Sequence, residues 1–240
     1  MKRAIYAIWM SAALIFAAGC TEPAQTGSQP DGQTQAPQLK PVGQTEGTQV
    51  NPNSGLATGK DTEAEQPKLK GAGKTIEEAS MAALLALKQK EMKKLAGMAH
   101  PNKGIRFSPY GHIDQDKDLT FLPAQLEKLA EDQTVYKWGA YDGSGEPIEL
   151  KFSDYYARFI FDADFTEAKQ KAYNTVIGKG NTLVNIAEVY PAPGHEFSEY
   201  HFPGFDPKYE GMDWKSLRLV FEKMDGQYYL VGVIHDQWTI

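Results

Sequence analysis

Between Trp214 and Trp238 the chain reads W-K-S-L-R-L-V-F-E-K-M-D-G-Q-Y-Y-L-V-G-V-I-H-D-Q-W, two runs of β-favouring residues joined by Asp225-Gly226. An Asp-Gly pair in that setting favours a two-residue type I′ turn, whose central residues both need positive φ. Counting outward from the turn sets Phe221 opposite Leu230, Leu219 opposite Gly232 and Leu217 opposite Ile234 on one face. The other face pairs Glu222 with Tyr229, Val220 with Val231 and Arg218 with Val233. The first face is wholly apolar and the second mixed, ending in His235 beside Asp236. A hairpin divided in this way closes a sheet that carries another layer on its apolar side.

The start of the chain is an address. Lys2 and Arg3 precede an apolar run from Ala4 to Phe16, and Ala17-Ala18-Gly19-Cys20 forms a small-residue exit. The run is shorter than the roughly 20 residues that a membrane-spanning helix needs. The segment resembles a bacterial lipoprotein signal, which implies cleavage before Cys20 and lipidation of that cysteine; the bland alternative is an ordinary secretory signal. Cys20 is the only cysteine in the chain. Used as an anchor, it leaves none for a disulfide, a thiol nucleophile or a cysteine-type zinc site. The expected location is therefore the cell membrane, lipid-anchored and facing the extracytoplasmic side.

Thr21 to Gly73 contains no aromatic residue and consists mostly of Gln, Thr, Gly, Pro, Ala, Ser and Glu. Such a composition buries too little apolar surface to offset chain entropy, so the segment reads as a disordered tether. As a flexible coil it would span about 40 Å. Without residues 1–19 the chain has 23 basic and 31 acidic residues, a net charge of −8. A balance this acidic points away from nucleic acid, which calls for a basic stripe.

The folded part is expected from Lys74 to the end. Thr75-Ile76-Glu77-Glu78 has the form of a capping box, followed by apolar residues at helical spacing through Leu87. A second helical piece covers Glu91 to Ala99, an extended segment covers Ile105 to Ile113, and Pro123 opens a short helix. Val135–Tyr141 and Ile148–Phe152 read as strands, and Ser153 as the cap of a helical turn. A further hairpin is expected from Tyr173–Ile177, a turn at Gly178–Asn181 and a strand at Thr182–Tyr190; Phe197–Phe202 is one more strand. Helices followed by hairpins make a single α+β domain, with helices packed on one face of a largely antiparallel sheet.

The helix opening at Thr75, the A-L-K-Q-K-E-M-K-K-L-A stretch and the closing hairpin resemble the nuclear-transport-factor-2-like superfamily, which includes ketosteroid isomerase and polyketide cyclases. The runs G-I-R-F-S-P-Y, G-N-T and H-F-P-G-F-D-P-K-Y-E-G-M-D-W are similar to lipoproteins of Bacillus-type bacteria with no assigned activity. The superfamily resemblance implies a cone, with N-terminal helices over a curved sheet and a pocket between them. Some members use a His/Asp or Tyr/Asp set there for proton transfer.

The candidate pocket residues are Arg218, His235 and Asp236 on the hairpin, with Arg106, Tyr110, Trp138 and Arg158 elsewhere. His235 and Asp236 are adjacent on a strand, so their side chains point to opposite faces and form no dyad without a bulge. Asp114-Gln115-Asp116-Lys117-Asp118 has the D-x-D-x-D spacing of a calcium loop. Leu119 stands where that loop needs Gly, and Gln125 where it needs Glu, so a solvated turn is the better reading. His195, Glu199 and His201 alternate onto one strand face but lack the helical spacing of a zinc motif, so no metal site is assigned. No pattern calls for a cofactor. Two functions remain: a non-catalytic module binding a small ligand, a cell-wall fragment or a protein, or an isomerase, dehydratase or hydrolase using a pocket His or Asp.

Overall fold

A computed structural model describes residues 69–239; the expected signal peptide, Cys20 and the tether through residue 68 lie outside the described residues. The domain is mixed α+β with a mainly antiparallel six-stranded sheet. Helices α1 (Ile76–Lys88) and α2 (Met92–Met98) come first, then strands β1 (Ile105–Ser108) and β2 (Leu119–Phe121) and helix α3 (Pro123–Leu129). A separate ribbon of β3 (Tyr136–Ala140) and β4 (Pro147–Leu150) leads into α4 (Phe152–Phe159). Strand β5 (Gln170–Tyr173), the short helix α5 (Ile186–Val189) and strands β6 (His195–Phe202), β7 (Lys215–Met224) and β8 (Gln227–Gln237) complete it. The sheet order is β2-β1-β8-β7-β6-β5, and the β1–β8 pairing alone is parallel.

Local signals explain the helix starts. The Thr75 hydroxyl accepts from the Glu78 amide at 3.2 Å, and the Glu78 carboxylate accepts from the Lys74 amide at 3.1 Å. Pro123 occupies the first turn of α3, where its missing N–H costs nothing. Helix α4 starts one residue before the expected Ser153 cap, with Lys151 at the N-cap and no side-chain bond to it. Pairing to the domain begins slightly ahead of Lys74: Lys70 N donates to Gly97 O, and Ala72 and Gly73 exchange backbone bonds with Tyr228.

The closing hairpin follows the expected register only near its turn. Asp225 and Gly226 both have positive φ, 52° and 75°, and Phe221 faces Leu230 while Glu222 faces Tyr229. A bulge then intervenes. Val220 faces Gly232, Leu219 faces Val233, Arg218 faces Ile234 and Leu217 faces His235, one residue out of step with the simple count. Val231 is the extra residue, and a one-residue insertion reverses every later side chain on β8. Val233 and His235 thus lie on the helix-covered side, and Ile234 and Asp236 on the other.

The helix-covered side holds the larger core, in which Leu217, Leu219, Phe221, Leu230 and Val233 meet residues of α1 to α4. The opposite side carries a smaller cluster of Ile113, Ile186, Val220, Val231 and Ile234, flanked by Val176, Val184, Val189 and Tyr190. Residues 174–190 supply much of that cover. They do not form the expected hairpin: after β5 the chain runs irregularly and then forms α5. Its backbone finds other partners, because Ile177 N and Gly178 N donate to the Glu199 carboxylate at 2.8 and 2.9 Å.

Candidate functional site

Three groups of polar residues are built onto this frame, two buried and one open. On the side of the sheet covered by residues 174–190, which form a strap across it, β6 and β7 set Glu199 directly opposite Arg218, and both are fully buried. Arg218 Nε and Nη2 donate to the two Glu199 oxygens at 3.0 and 3.1 Å, while Nη1 reaches Asp236 Oδ2 at 2.8 Å. Nη2 also donates to Gly178 O at 2.8 Å. The Ser216 hydroxyl donates to Glu199 at 2.6 Å and so accepts from His201 Nδ1 at 2.8 Å, which puts the ring proton on that nitrogen. Burial opposes the Arg218 charge, but the two carboxylates outweigh it and raise its pKa. Burial raises the Asp236 pKa, with Arg218 acting against it. Gly178 closes the site: a Cβ there would collide with Ser216 Oγ and the Trp214 ring. The charges bind one another and no open side remains, so the cluster is a structural clamp.

On the helix-covered side, His235 is fully buried, with Nδ1 3.2 Å from Pro109 O and Nε2 3.2 Å from Asp162 Oδ2. Asp162 also accepts from Lys215 Nζ. Burial pushes the Asp162 pKa up, and His235 and Lys215 together bring it below the usual carboxylate range. The Phe159 ring lies edge-on to both His235 and Tyr110, with centroids 5.9 and 5.7 Å away. Trp138 stacks on Tyr155 at 3.9 Å and donates through Nε1 to Leu150 O at 2.8 Å. Both rings are fully buried. Aromatic side chains therefore fill the space where a pocket between sheet and helices was expected.

The seven candidate residues consequently do not converge. Arg218 and Asp236 meet in the clamp, and His235, Tyr110 and Trp138 lie on the opposite side of the sheet. Arg158 stands at the surface over the Tyr141 and Phe159 rings, 4.7 and 5.4 Å from their centroids. Arg106 projects from β1 on the strap side, with Nη1 donating to Gln115 O at 3.1 Å and Asp118 O at 3.2 Å.

The D-x-D-x-D stretch folds as a turn. Asp114 Oδ1 accepts from the amides of Asp116 and Lys117, and its carboxylate pairs with Lys117 at 2.9 Å. Asp118 points inward, where Oδ2 accepts from Ser108 Oγ and from the Asp114 amide at 3.0 Å. Burial pushes Asp118 up to about 6, and it lines a cleft of about 220 Å3 with Tyr110 and Asp142. The Tyr155 hydroxyl is buried without a partner; burial first, then Asp118 and Tyr110, holds its pKa well above the usual value. His195, Glu199 and His201 share a face as alternation demands, yet His195 turns away to Pro191 O, 3.2 Å from Nδ1. Among the described residues no group of three His, Cys, Asp or Glu converges on a metal position.

A third group is open to solvent at the β8 bulge. Lys103, Arg106, Tyr190 and His195 border a cleft of about 350 Å3 walled by Val189 and Val231. Glu222 Oε2 lies 2.5 Å from Lys103 Nζ, 3.6 Å from His195 Nε2 and 3.8 Å from His100 Nε2. Partial burial pushes the Glu222 pKa up, and Lys103 with the two histidines more than reverses that, lowering it. Neither Lys103 nor Tyr190 was legible as a site residue, because the cleft gathers single residues from separate segments with no shared spacing.

No protein-family model, no curated protein and no solved structure matches the chain.

Proposed function

We propose that the chain is a lipoprotein anchored through Cys20 on the extracytoplasmic side of the cell membrane, with residues up to the domain serving as a tether. Its domain is a non-catalytic binding module of the cone-like, nuclear-transport-factor-2-like kind, taking a small ligand, a cell-wall fragment or a protein. The observation that carries this reading is the filled interior. The stacked, fully buried Trp138 and Tyr155 occupy the space that a substrate would need, and His235 is enclosed in the core with its two nitrogens 3.2 Å from Pro109 O and Asp162 Oδ2. The sheet's remaining buried charges bind one another. What is left for a partner is the surface, as befits a binding module.

One observation favours the alternative, a small isomerase, dehydratase or hydrolase. Asp118 is nine-tenths buried, has its pKa pushed up to about 6, and lines a cleft beside Tyr110, as a general base does. The two readings separate when the full chain is incubated with a small-molecule and cell-wall extract and followed by mass spectrometry. A binding module depletes a component that returns unchanged on denaturation. A component converted to a new mass by the wild type, but not by Asp118→Asn, would overturn the non-catalytic reading. Cys20→Ser tests the anchor: the protein should leave the membrane fraction or accumulate as an unprocessed precursor. Wild-type processing and membrane partition of that variant would sink it.

A further inference from the structure

We infer, on the reading of the domain as a binding module, that the cleft at the β8 bulge is an anion site that takes the phosphate group of a small organic phosphate.

The chain as a whole is acidic, with a formal net charge of −6. Around this cleft the balance reverses. Two cations, Lys103 and Arg106, line it beside the His195 imidazole, against one neighbouring carboxylate, Glu222. The Asp118 carboxylate is turned inward onto Ser108, and presents only its backbone oxygen to Arg106. The Lys103 ammonium and the imidazole nitrogens of His195 and His100 already surround the single oxygen Glu222 Oε2, with burial lowering the His100 pKa, an arrangement suited to an anionic oxygen.

The arginine is fixed before any ligand arrives. Two backbone oxygens hold its Nη1, so the rest of the guanidinium loses little freedom when it engages an anion. It borders the same cleft as Tyr190, whose hydroxyl burial keeps protonated by raising its pKa, with Arg106 acting against that. Guanidinium, ammonium and phenol donors approach from different elements, a distribution that suits the oxygens of a phosphate better than a planar carboxylate.

The bulge supplies the remaining wall. Val231 is the residue that β7 leaves unpaired, and its carbonyl is 3.4 Å from Tyr190 Oη. Val189 and Val231 give the cleft an apolar side for a short carbon skeleton. A volume of about 350 Å3 accommodates a phosphate with a few carbons attached. The same chemistry belongs to a soluble polyol phosphate and to a phospholipid headgroup.

The test is calorimetric titration of the purified full chain in chloride buffer of constant ionic strength. The probes are inorganic phosphate, glycerol phosphate, and dihexanoylphosphatidylglycerol below its micelle concentration. Saturable binding of at least one is expected, about tenfold weaker in Arg106→Gln, as befits a lost charge-assisted contact. Lys103→Gln should weaken it as well, and Glu222→Gln, which removes the competing carboxylate, should tighten it. Lys103 is half exposed, so its variant still decides the matter if Arg106→Gln does not fold. Tighter binding of glycerol phosphate identifies a soluble source, and tighter binding of the lipid a headgroup; either supports the inference. No saturable binding, or binding indifferent to both Arg106→Gln and Lys103→Gln, overturns it. Phosphorus NMR on the same samples separates the two readings. New resonances from a cleaved ester would overturn the non-catalytic function and leave the phosphate site standing.

Discussion

The two sides of the sheet solve the same burial problem with opposite materials. Under the helices, Phe107, Trp138, Phe152, Tyr155 and Phe159 pack ring against ring, and the main polar intrusion is Asp162 with Lys215 and His235. Under the strap, a guanidinium and two carboxylates are buried together among a handful of aliphatic residues. Apolar packing is undirected and tolerates regular helices as its cover. A buried ion set is directional, and its cover must present backbone N–H and C=O groups at fixed points. That difference accounts for the irregular path of residues 174–190. Those residues bond to Glu199 and Arg218 instead of to a neighbouring strand.

Three replacements would break or sharpen the contrast. The largest effect belongs to the ionic side. Arg218→Met leaves Glu199 and Asp236 buried without their cation and should cost about 3–5 kcal/mol in urea denaturation. A cost below about 1 kcal/mol, the scale of an exposed pair, would show that water reaches the cluster. On the apolar side, Phe221→Ala removes a fully buried ring and should cost about 3–4 kcal/mol. Its effect should be insensitive to salt, and a marked salt dependence would blur the distinction between the two sides.

The smallest effect has the opposite sign. The folded-state pKa of Asp118 is raised to about 6, so its contribution to stability is full below its unfolded value and is lost as pH rises through about 6. Asp118→Asn removes that loss while keeping an oxygen for Ser108 and the Asp114 amide. The variant should match the wild type near pH 3 and exceed it at pH 8, by about 3 kcal/mol at most. Equal stability at pH 8 would mean that the carboxylate ionises without penalty.

Much of the apolar side was legible. Helical spacing after Thr75, Pro123 at a helix start and alternation along β7 all place side chains correctly, since local pattern and burial agree there. The hairpin register was legible only as far as the bulge. Val231-Gly232-Val233-Ile234 is apolar on both phases of an alternation, so nothing in its composition marks where one residue is skipped. The ionic clamp was hidden for another reason. Glu199 and Arg218 are cross-strand partners, but the loop between them, Pro203 to Trp214, does not fix how β6 meets β7. The seven candidate residues were gathered from chemistry alone, and the bulge and the sheet between them set them apart in the fold.

The place of β8 in the sheet bears on how this chain acquires its structure. It follows every other strand in sequence, yet it lies inside the sheet, between β1 and β7. A chain emerging amino end first presents α1, α2 and β1 long before the strand that β1 pairs with. The apolar stripe of α1 would wait for β7 and β8 as well, because it packs on them. Long-range pairing of this kind slows folding and lengthens the time that sticky surfaces stand uncovered. For this domain, assembly is a late event that waits on the synthesis of Gln227 to Gln237.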